Sequence, residues 1–128
     1  MPTLITNGIK ISVETNYRED YSKPVEKKHV FSYLIKIKNE SRRTVQLLRR
    51  RWIIFDSSGT VREVKGDGVV GEQPILHPGE EHEYTSWCDF ESSIGKMRGY
   101  YQMQDMRSKK KFQVKVPEFL MVAPYQNN

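Results

Sequence analysis

Gly66-Asp67-Gly68-Val69-Val70-Gly71-Glu72-Gln73-Pro74 decides the fold through what stands on either side of it. Its glycines spell G-x-G-x-x-G, which binds a dinucleotide only where it ends a strand and opens a helix whose N-terminus meets the pyrophosphate. A strand-like segment, Thr60 to Lys65, precedes the run, but Pro74, Pro78 and Gly79 follow it within eight residues and leave no place for a helix. Nor is there a Gly-Lys-Ser or Gly-Lys-Thr, so the phosphate loop of nucleotide hydrolases is excluded as well. The glycines serve an inter-strand loop, and the segments around it read as β-structure.

Outward from the loop, period-2 alternation dominates. Ile9, Ile11 and Val13 alternate with Lys10, Ser12 and Glu14, which predicts a half-buried strand. Phe31, Tyr33, Ile35 and Ile37 alternate with Ser32, Leu34, Lys36 and Lys38 and end at the turn Asn39-Glu40-Ser41. Thr44 to Phe55 carries Val45, Leu47, Trp52, Ile53, Ile54 and Phe55, with its phase broken at Arg49-Arg50-Arg51, where a β-bulge would restore it. Asp56-Ser57-Ser58-Gly59 is a hairpin turn leading into Thr60 to Val64. Gln73 to Leu76 predicts a short strand, His77-Pro78-Gly79-Glu80 a turn, and Glu81 to Asp89 a further alternating strand. Met97 to Met106 and Phe112 to Pro117 complete the set, joined through Ser108-Lys109-Lys110. Asn16 to Lys28, charged and containing Pro24, fits the exposed end of a long hairpin. No segment sustains a 3.6 period with caps, so the expectation is an all-β antiparallel sandwich: one domain over residues 1–128, with 120–128 as a C-terminal tail.

Composition fits that architecture. The 128 residues, 37% hydrophobic and 29% charged, suffice for a core without metal or disulfide. No apolar run approaches the ~20 residues of a membrane span, and Met1 to Thr6 lacks the basic and apolar regions of a signal peptide. With Cys88 alone there is no internal disulfide and no C-x-x-C. A cytoplasmic protein without cofactor is expected.

The formal net charge is +5, unevenly spread. Arg42, Arg43, Arg49, Arg50 and Arg51 fall in a stretch without acids, whereas Glu80, Glu81, Glu83, Asp89 and Glu91 cluster. Arg49-Arg50-Arg51 beside Trp52 could hold phosphates and stack a base. Alternation, however, sends Arg50 to one face and Arg49 and Arg51 to the other, and pairing with Glu80 to Glu83 explains the charges equally well; nucleic acid is not the expected partner. His29, His77 and His82 form no metal-binding pattern, and on a strand Glu81 and Glu83 face away from His82. A nucleophile motif is missing too, and Cys88 reads as a packed thiol. The glycine run itself admits two readings: a backbone nest for an anion, against which Asp67 counts and for which Arg62, Lys65 and Arg98 count, or a loop that needs positive φ at two or three positions.

Val69-Val70-Gly71-Glu72-Gln73-Pro74, Pro78-Gly79-Glu80, Tyr84-Thr85-Ser86 and Met97-Arg98-Gly99-Tyr100-Tyr101-Gln102-Met103 together closely resemble the ApaG family, as does Val45 to Ile54. The resemblance covers nearly the whole chain. It implies a fibronectin type III-like or immunoglobulin-like β-sandwich, a small bacterial protein linked by name to cobalt and magnesium efflux, and a domain that in an F-box protein and a polymerase-δ-interacting protein looks like an interaction module. The chain departs from the family pattern at Ser86-Trp87, where Ser-Gly is common, and at Asp89-Phe90-Glu91-Ser92, where a proline-containing stretch is usual. The expected function is a non-enzymatic module for another protein, with no role in the membrane. Its contact surface is placed at Gly66, Gly68, Val69, Gly71, Glu72, Gln73 and Pro74, with Arg98 and the Pro78-Gly79 turn beside them. Trp87, Tyr100 and Tyr101 read as either anchors or core. The alternative is a sensor of a phosphate-containing small molecule that uses the Gly66–Gly71 loop, with Arg98 as a supporting cation.

Overall fold

The computed structural model describes residues 1–124, and their regular structure is strand apart from two short 3-10 turns. The strands are β1 (Thr3–Thr6), β2 (Ile9–Tyr17), β3 (His29–Asn39), β4 (Val45–Asp56), β5 (Val61–Asp67), β6 (Ile75–Leu76), β7 (Glu81–Phe90), β8 (Ile94–Asp105) and β9 (Lys111–Val122). They form two antiparallel sheets, one ordered β1-β2-β3-β7 and the other β5-β4-β8-β9 with β6 added on β4. The sheets pack face to face as the expected sandwich, consistent with the immunoglobulin-like and fibronectin type III-like class. The segment 16–28 is indeed the end of a long hairpin: β2 and β3 pair in register from Ile9↔Asn39 to Tyr17↔Phe31, with the two 3-10 turns at its tip.

The alternation builds the core. Ile9, Ile11 and Val13 of β2 and Phe31, Tyr33, Ile35 and Ile37 of β3 are buried against Val45, Leu47, Trp52 and Ile54 of β4 and Met97, Tyr101 and Met103 of β8. Tyr33, Trp52, Tyr101 and Phe119 meet edge to face or tilted, with ring centroids 5.7–6.2 Å apart, a geometry that adds to their apolar burial.

Two bulges reset the phase. In β4, Leu48 is the extra residue opposite β8, between Leu47 and Arg49; this is the predicted bulge, one residue upstream of the arginines. In β9 the pairing jumps from Phe119 to Val116 opposite Met97 and Gly99. Pro117 sits in that jump, where its missing N–H costs no ladder bond. The strand therefore continues through Leu120–Val122, with Met121 fully buried, instead of giving way to a tail at residue 120. Of the expected tail, Tyr125 and the rest of 125–128 lie outside the described residues.

The two lateral edges of the sandwich differ. On one side β9 lies against β1 and β2. On the other stand the edge strands β5 and β7, which share no ladder and are joined through side chains.

Candidate functional site

The glycine run begins inside β5, since Gly66 and Asp67 are that strand's last residues. Beyond them the chain closes on itself: the Val69 N–H donates to the Glu72 carbonyl (2.8 Å) and the Glu72 N–H to the Val69 carbonyl (3.0 Å). Between them Val70 (φ 47°) and Gly71 (φ 77°) are both left-handed, as a type I′ turn requires. Gly68 (φ 62°) makes the third positive φ of the loop, and a Cβ there would lie 2.2 Å from the Glu72 carbonyl oxygen. A glycine is thus needed for both torsion and space. Val70 is the anomaly, because β-branched residues rarely enter this region.

The bulge at Leu48 holds the loop in place. Its carbonyl, released from the β8 ladder, accepts the Gly68 N–H (2.8 Å) and the Gln73 side-chain amide (3.0 Å), while the Leu47 N–H donates to the Pro74 carbonyl (3.0 Å). The Gly68, Val69 and Glu72 amides are engaged internally and are not free to cup an anion.

The same bulge turns Arg50 inward between the sheets, opposite Gly66, and Arg49 and Arg51 outward. On the outer face Arg49 pairs with Asp67 (3.5 Å) and Arg51 with Glu63 (3.0 Å). The partners of these arginines are therefore acids of β5, the strand hydrogen-bonded to β4, and not Glu80 to Glu83. Those acids lie opposite β3, with Glu81 facing Lys38 and Glu83 facing Lys36, while Glu80 accepts the His77 N–H at 2.6 Å. Arg50 has no carboxylate partner among the described residues. Its Nη1 donates to the carbonyls of Asp67 (2.9 Å) and Gly68 (3.0 Å).

Arg50 stands in a cleft of about 310 Å³ that opens between β5 and β7. Trp52, Ile54, Met97 and Val69 supply buried apolar surface, and the exposed Val64 and Val70 stand at its margin. Tyr33, Tyr84, Ser86 and Cys88 line the opposite wall. The Tyr84 and Tyr101 hydroxyls hydrogen-bond to each other. Burial raises the pKa of Tyr33, Tyr84 and Tyr101, outweighing the lowering influence of the Arg50 charge, so all three are neutral phenols. Burial also pushes the Cys88 thiol up to about 11, against the opposing pull of Arg62, which leaves it inert as a nucleophile.

Two polar clasps bracket the cleft. Arg62 of β5 donates through Nη2 to the Asp89 carbonyl (2.6 Å) and approaches the Cys88 sulfur (3.5 Å). From the loop, Glu72 Oε2 lies 3.6 Å from His82 Nε2, a buried nitrogen without a hydrogen-bond partner. On the outer side of β7, Trp87 is 49% exposed. The Arg18 guanidinium lies 5.1 Å from its ring and Tyr21 packs edge-on at 5.3 Å.

The expected residues sort accordingly. Gly66 packs under Arg50, with a Cβ position only 3.1 Å from Nη1 and Nη2. Gly68, Val69, Gly71, Glu72, Gln73 and Pro74 form the capping loop. Arg98 is not among them: it pairs with Ile53 on the outer face of the five-stranded sheet and lies over the Phe55 ring at 5.2 Å. Tyr101 is core, Tyr100 lies on the outer face beside Arg51, and of the three aromatics Trp87 is the one on the exposed surface. Arg50, His82, Val64 and Tyr21 are additions. Alternation counted through a bulge placed at Leu48 would have turned Arg50 inward, whereas Tyr21, in a turn, carried no periodic signal.

Among the described residues no group of three or more His, Cys, Asp or Glu could hold a metal ion. Among the same residues no helix is long and apolar enough to cross a membrane. Fold and site together define a small β-sandwich whose distinctive feature is a loop-capped, cationic seam between two edge strands. The ApaG domain family matches residues 19–105. Proteins named ApaG from Brucella anthropi and Pectobacterium carotovorum are 47% and 46% identical, over 95% and 89% of this chain and 93% and 90% of their own lengths. A crystal structure of an ApaA protein from Bordetella pertussis superposes with a TM-score of 0.88 at 38% identity, covering 98% of both chains. The chain belongs to the ApaG family.

Proposed function

We propose that this chain is a non-enzymatic binding module of the ApaG type, which holds a segment of another protein at the seam between β5 and β7. The observation that carries the reading is the set of exposed apolar side chains gathered there. Val64 lies on the β5 edge, Val70 at the tip of the capping turn, and Trp87 with Tyr21 beside β7. Val70 sharpens it: a β-branched residue held left-handed and 64% exposed costs stability and contributes nothing to the core. An unpaired edge flanked by apolar side chains suits an added strand or an extended peptide. The neutral tyrosines and raised Cys88 thiol favour binding over catalysis at the same place. Any link to cobalt and magnesium efflux, as well as a cytoplasmic role, would run through the bound partner.

The test is co-purification on the tagged protein with two surface variants, Val70→Asp and Trp87→Ala. The reading expects both to lose a partner that the unaltered protein and Leu120→Ala, on the opposite edge, retain. Equal retention by all four contradicts it.

A further inference from the structure

We propose that the cleft between β5 and β7 is a carboxylate-binding site, with Arg50 as the anion anchor and the apolar floor as the seat for the body that carries the carboxylate. The proposal rests on reading the seam as a binding face and names the chemistry that face selects.

Three observations converge. First, Arg50 is an inward-facing cation without a carboxylate among the described residues, while Arg49, Arg51 and Arg62 each approach one. A guanidinium between two sheets is costly unless its hydrogen-bonding capacity is met. Its Nη1 is spent on two carbonyls, which leaves the Nε–Nη2 edge, a two-donor fork that matches a carboxylate bidentately. Second, the protein sets that guanidinium with backbone: the Gly68 carbonyl fixes its tip, and Gly66 gives its plane room to lie against β5, since a Cβ there would press on both terminal nitrogens at 3.1 Å. Third, the remaining lining is apolar or uncharged. Trp52, Ile54, Met97 and Val69 offer a body-sized surface, and Ser86 and the neutral tyrosines offer hydroxyls. A cleft of about 310 Å³ falls at the small end of ligand sites. One fork, with no second cation among the described residues that line the cleft, suits a monoanion on an apolar body better than a phosphate, whose charge calls for several donors.

Such a carboxylate can belong to a metabolite-sized acid or to the C-terminal residue of a protein, and the probes separate them. The isotope-labelled protein is titrated with 3-phenylpropionate, with 3-phenylpropanol as its uncharged counterpart, with inorganic phosphate, and with a short peptide ending in phenylalanine as the free acid or the amide. Shifts are followed at Val64, Val69, Val70 and Met97. The free acids are expected to move these signals, with an affinity at least about tenfold above that of the alcohol or amide, and phosphate is expected to leave them still. Tighter binding of the peptide acid than of phenylpropionate assigns the site to a protein C-terminus; no gain assigns it to a small acid.

Arg50→Lys keeps a cation but removes the fork, and Gly66→Val keeps Arg50 but displaces its head. Each should weaken the acids about tenfold, and Arg49→Gln, on the outer face, should change them less than about twofold. Dispersed spectra confirm that each variant is folded, and if one is not, the other carries the test. Acids that bind Arg50→Lys and Gly66→Val as tightly as the unaltered protein overturn the proposal. So do signals that move instead at Tyr100 and Lys115, or no binding of either acid up to about 10 mM. These failures differ from failure of the binding-module reading, which is scored by loss of the co-purified protein in Val70→Asp and Trp87→Ala.

Discussion

Alanine placed at Gly68 and at Gly71 separates two reasons for a glycine that a sequence pattern cannot distinguish. Both positions have positive φ, 62° and 77°. At Gly71 a new Cβ meets nothing within 4 Å, so only the torsion is taxed. A left-handed alanine costs roughly 1–2 kcal/mol, partly offset by the ~0.4–1 kcal/mol gained from a stiffer unfolded chain. The net expectation for Gly71→Ala is a loss of about 1 kcal/mol. At Gly68 the torsional cost is the same, but the Cβ would also lie 2.2 Å from the Glu72 carbonyl oxygen and 2.9 Å from its carbon. That neighbour is backbone and cannot rotate away, so the loop must open by about 1 Å and give up the paired Val69 and Glu72 bonds, at about 1 kcal/mol each. Gly68→Ala should therefore lose about 3 kcal/mol. For a chain of this size that is a fall in Tm of about 10 °C, against about 3 °C for Gly71→Ala. Urea unfolding with unchanged m-values gives the free energies directly. Equal losses in the two variants would refute the reasoning, because torsion alone would then account for both glycines and the close approach to Glu72 would not exist in solution.

Further expectations follow from other sites. Asp56 accepts hydrogen bonds from the Glu91 N–H (2.7 Å), the Ser92 hydroxyl (2.6 Å) and the Ser58 N–H (3.1 Å). Burial works to raise its pKa, but these bonds prevail and hold it at about 2 against an ordinary 3.8. A lowered pKa gives stability that is present above the ordinary value and lost as pH falls towards 2, so Asp56→Asn should flatten acid unfolding by no more than about 2 kcal/mol; an unchanged pH profile contradicts this. Cys88, a thiol at about 11, should be about 0.1% thiolate at pH 8 and label with a disulfide reagent only on unfolding; labelling of the native protein at the denatured rate would show the site open. Trp87→Ala should cost about 1 kcal/mol of stability because the ring is half exposed, whereas Trp52→Ala, in the core, should cost about 3–5 kcal/mol; similar losses in urea melts would contradict the assignment of Trp87 to the surface.

The architecture was legible because a period of two runs through most of the core strands. Ile9, Ile11 and Val13, then Phe31 to Ile37, face inward just as the alternation has them. What was not legible lay at breaks in that period. Pro117 looked like the end of a strand, but in a bulge its missing N–H is harmless and β9 runs on to Val122. Alternation splits the triple arginine between faces, as the structure has it, but points to the wrong acids, because which acid-bearing strand lies beside β4 is a matter of topology and not of local pattern. The glycine run shows its need for positive φ but not that the Gly68, Val69 and Glu72 amides are taken up internally, since the acceptor for Gly68 is the Leu48 carbonyl at the bulge. Charge alone groups Arg98 with the loop, but it lies on the opposite face of the sheet from Arg50. The seam itself is a product of the fold: Val64, Trp87, Arg50 and Val70 come from three strands and a turn.

The measurement that bears most directly on the account is site-specific photo-crosslinking in cells, with the photoreactive side chain at Val64 or Val70 on the seam and at Lys115 or Leu120 on the other edge. A discrete crosslinked protein that Trp87→Ala diminishes is expected at Val64 and Val70, and little at Lys115 or Leu120. Crosslinking that is equal at all four positions, or concentrated at Lys115 and Leu120, would contradict the claim that the β5–β7 seam is the face with which this protein binds.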